Sequence, residues 1–354
     1  MSLEALNSPS LVGAVTAGCY GLLPFAAKNP MLLNSAALPF VAIKGMNALS
    51  YGFSMYSVSR PGRYDGGASV KSEAGDSESS KPKTTKSSSG DMDAAQRGME
   101  QMGTSKGRTL VPPAPWAFII WAPIFMGELV MVTAPILAPG SVSPVVEQAL
   151  REISGPYLLA QIFQALWAAS FRPRYENGIY KYVSAANLAG IAASLSLCHG
   201  AFATTSNNSQ RSLRSYSGLE YALYFLPLSL HFGWTTAASL VNLNGMYAMA
   251  TTNDKNATAR SVAMLGHASV VLATAIGAGI TWTRKAPVYG GVICWALVAV
   301  AAGLKQRILA NASNSKKNDD DNVVGIYGAE RQRTLSLVGA AICASTSAAV
   351  HWLL

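Results

Sequence analysis

Three ionisable side chains lie in stretches of this chain that are otherwise apolar. Glu128 falls midway along the stretch 115–137, His231 near the middle of 221–247, and Lys44 inside 36–57. An ionisable group at mid-bilayer depth costs about 2.5–3.5 kcal/mol on insertion scales and usually turns inward to a partner. His231 and Lys44 are therefore the partners expected for Glu128. Two uses fit such a group: a satisfied polar pair that fixes helix packing, or polar contacts facing a ligand or a proton path. Indoles accompany them. Trp167 and Trp234 lie deep in their stretches, where interior packing or a cavity wall is expected. Trp116 lies near an end, where an indole commonly anchors at the lipid–water boundary. The amides Asn187 and Asn242 read as interhelical hydrogen-bonding groups.

Other chemistry lacks its signature. No nucleophile motif, phosphate loop or metal-ligand spacing occurs. His199, His231, His267 and His351 are scattered over four stretches, and their spacing does not support haem ligation. Cys19, Cys198, Cys294 and Cys343 each sit in an apolar run, where Cys behaves as a small hydrophobe, so no disulfide framework or zinc site is expected.

The elements that must position these groups are transmembrane helices. Of 354 residues, 50% are hydrophobic and 13% charged, against about 25% charged in an ordinary soluble domain. Mean hydropathy is +0.24. A hydrocarbon core needs about 20 apolar helical residues. Eight segments qualify: 36–57, 115–137, 156–171, 181–203, 221–247, 261–282, 286–304 and 334–353. The third is short and is expected to begin a few residues earlier. The fold class is therefore all-α, a polytopic membrane helical bundle of about eight transmembrane helices. Pro123, inside the second span, is expected to kink it. The N-terminal part, 1–35, holds a further apolar segment, Val12 to Ala27, which fits neither a secretory signal nor a transit peptide and reads as a short apolar helix.

Between the spans, 61–107 is a polar loop too poor in apolar residues to order itself, and 311–322 is a second polar linker. The loops after spans one, three, five and seven hold 20 Lys and Arg, and those after spans two, four and six hold 5. That bias places 61–107 on the cytosolic side, or on the stromal or matrix side in an organelle. The same bias accounts for the net charge of +9, so no nucleic-acid partner is inferred. No internal repeat supports an inverted-repeat transporter.

Three segments carry a family resemblance. One runs Pro112-Pro113-Ala114-Pro115-Trp116-Ala117-Phe118-Ile119-Ile120-Trp121 and on to Glu128. The second holds Gln164 and Trp167, and the third Trp234, Ala238 and Asn242. They resemble the tryptophan-rich sensory protein / translocator protein family, also known as the mitochondrial or peripheral-type benzodiazepine receptor family. That family has a proline-rich start and aromatics in its second helix, an amide three residues before Trp in its third, and Trp, Ala and Asn at four-residue steps in its fifth. Gln164 stands where the family usually has Asn. The resemblance covers residues 36–247. Tyr289, Trp295-Ala296-Leu297 and Lys305 resemble a larger branch with extra C-terminal helices.

The resemblance implies a five-helix core, with 36–60 holding the first transmembrane helix and 108–247 the rest. Three additional helices follow in 248–354. It also implies a homodimer in the bilayer, a lid near Arg108 to Pro115, and a hydrophobic ligand such as a porphyrin, haem or a sterol. The ligand-binding residues it points to are Trp116, Phe118, Trp121, Glu128, Gln164, Trp167, His231, Trp234 and Asn242. In the most specific form of this expectation, Trp167 and Trp234 face one another across the bundle with Phe118, and Glu128 and His231 supply the polar contacts. Binding without turnover, as sensor or carrier, is the first expectation. The alternatives are a proton-coupled transporter or channel using Lys44, Glu128 and His231, and a membrane enzyme acting on a lipophilic substrate.

Overall fold

The structure, a computed structural model, describes residues 8–28, 38–60, 63, 109–138, 140, 142–175, 178–203, 216–250, 255–313 and 328–353. Most of the polar loop 61–107 and of the linker 311–322 lies outside the described residues. Within them the chain forms helices and no strand. Nine long helices follow one another: α1 Pro9–Lys28, α2 Phe40–Val58, α3 Trp121–Leu137, α4 Pro144–Ser170, α5 Val183–Ala203, α6 Leu226–Ala250, α7 Lys255–Arg284, α8 Pro287–Ser313 and α9 Ala329–Leu353. The third expected span is thus a 27-residue helix, started by Pro144 in its first turn and by the Ser143 hydroxyl, which accepts from Val146 N.

Six helices among the described residues are long and apolar enough to cross a membrane: α1, α3 with its lead-in, α5, α7, α8 and α9. The other three, α2, α4 and α6, bury much of the bundle's polar side chain: Asn47 and Ser54, then Gln161 and Gln164, then His231 and Asn242. Lower hydropathy there goes with a buried polar face, because a face shielded by neighbours can hold polar groups that lipid would not tolerate. Outward side chains are apolar, as at Leu49, Leu137 and Val41. Trp282 and Trp352 are also exposed, which gives them the boundary position expected for Trp116.

The N-terminal apolar segment is a helix of the bundle. α1 packs along α4 and α5. Thr16 donates to Asn187 Oδ1 at 2.9 Å, and the Tyr20 hydroxyl donates to the Ala186 carbonyl at 2.6 Å. Asn187 in turn donates to Ser170, the interhelical role expected of it.

Helices α2 to α6 form one body, with α4 against α2 and α5, and α3 against α2 and α6. Helices α7, α8 and α9 form a second, and α7 and α8 pack on α6. The loops alternate between two ends. At one, the arginines after α2 meet those after α4: partial burial, and then the charges of Arg63 and Arg60, lower the pKa of Arg172. At the other, Glu220 ahead of α6 is held below the usual carboxylate range, first by the Ser143 hydroxyl ahead of α4 and then by Ser217.

The second span changes helix type close to Pro123. The second span opens as a 3-10 helix, Pro115–Ile120, and becomes α-helical at Trp121. Pro123 is the third residue of α3, just past the change of helix type. The proline within α3 is Pro135.

Candidate functional site

Two neighbouring glycine and proline positions bring α3 and α6 together. A β-carbon at Gly127 would overlap the Pro227 ring, so only glycine allows this approach. The next residue on α3, Glu128, then reaches the residue one turn beyond Pro227, which is His231. Its Nδ1 lies 2.6 Å from Glu128 Oε1. The other carboxyl oxygen accepts from the Tyr157 hydroxyl at 3.1 Å and from Gln161 Nε2 at 3.0 Å. All four side chains are buried. Both carboxyl oxygens are thus engaged, while His231 Nε2 and Gln161 Oε1 are buried without a partner among the described residues. A lone charge here would be costly, and the two net-neutral arrangements, carboxylate with imidazolium or carboxylic acid with imidazole, each share one proton between Oε1 and Nδ1.

Lys44 takes no part. Its ammonium donates to the Pro135 carbonyl at 2.7 Å and lies over the Phe40 ring. Lys44 is on the first turns of α2, and the nearest unfilled acceptors are the last carbonyls of α3, which no further helical turn satisfies. The expected Lys44–Glu128–His231 path is therefore replaced by a Glu128–His231 pair with neutral partners.

Trp121 separates this cluster from an apolar cavity. Its ring centroid lies 5.7 Å from that of His231 on one side, and 6.4 Å and 6.2 Å from those of Trp167 and Trp234 on the other. Phe118 meets Trp234 edge to face at 5.6 Å. Such aromatic pairs add about 0.5–1.5 kcal/mol beyond area burial. Phe118, Trp121, Trp167, Trp234 and Asn242 all line the cavity, which has a volume of about 90 Å³. Trp167 and Trp234 thus line the same cavity, and Trp121 contacts both.

Four expected site residues lie elsewhere. Glu128 and His231 sit behind Trp121, outside the lining. Gln164 is buried, and both of its amide atoms are without a hydrogen-bond partner among the described residues. Trp116 packs edge to face on Trp295 at 4.7 Å. Its side chain points to α8 because the 3-10 lead-in lies on that helix.

The opposite wall comes from the C-terminal helices, and the sequence motifs gave it no weight. It consists of Ser269, Val270 and Ala273 on α7 and Ile293, Ala296 and Leu297 on α8. Small aliphatic residues look alike in any membrane helix, so only the Trp295-Ala296-Leu297 resemblance pointed there. α8 also holds the cover. Ala114 N donates to the Ala299 carbonyl at 2.8 Å, Trp295 Nε1 to the Ala117 carbonyl at 3.2 Å, and Arg307 Nη1 to the Thr109 carbonyl at 2.7 Å. Gly303 leaves the space in which Pro112 to Ala114 lie. Val111 and Pro113 close the cavity from this segment. The described part of the expected lid, from Thr109 onward, is therefore a strap clamped to α8.

Comparison with known proteins agrees with this geometry. No curated protein and no solved structure matches the chain. The family profile of TSPO-like proteins matches residues 94–314, which is more than half of the 354 residues. The match begins later than the resemblance in the motifs and takes in α7 and α8, the helices that complete the cavity. This chain belongs to the TSPO-like protein family, as an integral multi-pass membrane protein.

Proposed function

We propose that the chain binds a flat, apolar ligand between the Trp121–Trp167–Trp234 wall and the α7–α8 wall, as a membrane sensor or carrier without turnover. The observation that carries the reading is the cavity itself: three indoles and Phe118 converge from three elements around space that packing leaves unfilled. Protein interiors are otherwise close-packed, and apolar cavities of this kind take up apolar rings. At about 90 Å³ the space is smaller than the ~150 Å³ cavity that takes up benzene, so even a two-ring ligand requires its walls to give way slightly. A tetrapyrrole or a sterol needs the two walls to part along the seam between α6 and α7–α8.

The test is calorimetric titration of the purified protein in detergent with naphthalene and with protoporphyrin. Naphthalene is expected to bind the wild type and the Glu128→Gln protein alike, and to bind Trp234→Ala at least about tenfold more weakly, because most of one wall is gone. Equal affinity in Trp234→Ala sinks the proposal. A proton-coupled flux in vesicles that Glu128→Gln abolishes would replace it with the transport reading, for which the buried Glu128–His231 pair is the relevant observation.

A further inference from the structure

We infer that the cavity selects ligands carrying a hydrogen-bond acceptor, such as the carbonyl oxygen of a flat ketone or quinone, over ligands presenting a ring N–H. This rests on the reading of the cavity as a ligand site and names the chemistry of its ligand.

The inference comes from the direction of every polar side chain in the lining. Asn242 accepts the Ser184 hydroxyl on Oδ1 at 2.9 Å. Its oxygen is engaged, and the group it offers the cavity is the Nδ2 amide. Ser269 accepts from Asn244 Nδ2 at 2.8 Å, which leaves the hydroxyl hydrogen to give. Asn244 itself is held by a second bond from the same nitrogen to the Leu240 carbonyl, so this arrangement is fixed from behind. The remaining side-chain polar atoms of the wall are indole nitrogens, which only donate. Those of Trp167 and Trp234 are buried and have no acceptor among the described residues. The side chains around the cavity therefore have hydrogens to give and oxygens already engaged. The two acceptors come from opposite walls, Asn242 on α6 and Ser269 on α7, and each already accepts one bond from a neighbour outside the lining, so donors outnumber the acceptor sites left on these side chains.

A carbonyl group placed against Asn242 or Ser269 gains a hydrogen bond that a hydrocarbon cannot make. A ring N–H placed there meets another donor and loses its solvation without return. Discrimination of this kind, between molecules of one shape, comes from buried polar groups that are or are not matched.

The experiment compares three ligands of nearly the same size: indane with no polar group, 1-indanone with an acceptor, and indole with a donor. Each is titrated calorimetrically into the wild type and into Asn242→Leu, Ser269→Ala and Trp234→Phe proteins. In the wild type 1-indanone is expected to bind about three- to tenfold more tightly than indane, the range of one hydrogen bond, and indole more weakly than 1-indanone. The ratio of 1-indanone to indane affinity should fall toward one in Asn242→Leu or Ser269→Ala. Indane binding in the same proteins shows that they are folded and that the cavity is intact. Indole binding as tightly as 1-indanone overturns the inference, as does a ratio that survives in all three variants; with indane still bound, the ligand site itself stands. If none of the three ligands binds, the cavity is not a ligand site and both conclusions fall together.

Discussion

The two sides of Trp121 show opposite uses of polar groups inside a membrane bundle. Behind it, His231, Tyr157 and Gln161 all converge on the Glu128 carboxyl group, with only His231 Nε2 and Gln161 Oε1 left without a partner among the described residues. In front of it, Asn242, Ser269 and the indoles border empty space with hydrogens to give. A converging cluster holds helices in register, since loss of its carboxyl group leaves the others unpaired. An open set of donors contributes little to folding and is available to a ligand. The difference assigns stability to the first side and recognition to the second.

The largest expected effect tests that division. Glu128→Leu leaves His231, Tyr157 and Gln161 without their acceptor, and should cost about 3–5 kcal/mol of unfolding free energy, measured by denaturant titration in detergent. Glu128→Leu combined with His231→Leu should recover part of that loss, because His231 is no longer left without its acceptor, while Tyr157 and Gln161 still are. A double variant as unstable as the single one would show that the cluster does more than satisfy itself.

A smaller effect is expected where the cover meets α8. Gly303→Val places side-chain atoms against the backbone of Pro112 to Ala114. It should cost about 1–3 kcal/mol as overpacking and weaken naphthalene binding, because the strap must lift from the cavity. Trp295→Phe keeps the packing on Trp116 and removes the bond to the Ala117 carbonyl. The expected loss is about 1 kcal/mol, read as a modest fall in melting temperature. Lys44→Met should have the least effect, at most about 1.5 kcal/mol for one hydrogen bond to a carbonyl, with naphthalene affinity unchanged. A collapse of the fold in Lys44→Met would mean that Lys44 does serve the buried carboxyl group.

How far the sequence foretold this arrangement depends on how much each residue stands out. Glu128 and His231 were legible as partners because a mid-span charge has few ways to be satisfied and His231 was at matching depth. Trp121, Trp167, Trp234 and Phe118 were legible because indoles away from the boundary need a reason to be there. Lys44 was misassigned because sequence depth does not reveal which carbonyls a nearby helix end leaves open, here that of Pro135. Trp116 was misplaced because the 3-10 lead-in rotates it toward α8 relative to a regular helix. The α7–α8 wall was legible only through the Trp295-Ala296-Leu297 resemblance: Ala273, Ala296 and Leu297 differ in no way from lipid-facing residues until the packing is known. The helix Pro9–Lys28 was seen as an apolar segment, but its place along α4 and α5 depends on Thr16 and Tyr20 finding partners in α5, 171 and 166 positions away.

The account turns on the cavity between these walls being the place where a ligand sits. Ala273 lines it from α7 and is nearly buried. The direct measurement is the affinity of Ala273→Phe protein for naphthalene beside its melting temperature. The account predicts that the added ring occupies the cavity, so that affinity falls at least about tenfold while the melting temperature holds or rises, as cavity filling in a bundle does. Wild-type affinity in a folded Ala273→Phe protein would contradict it.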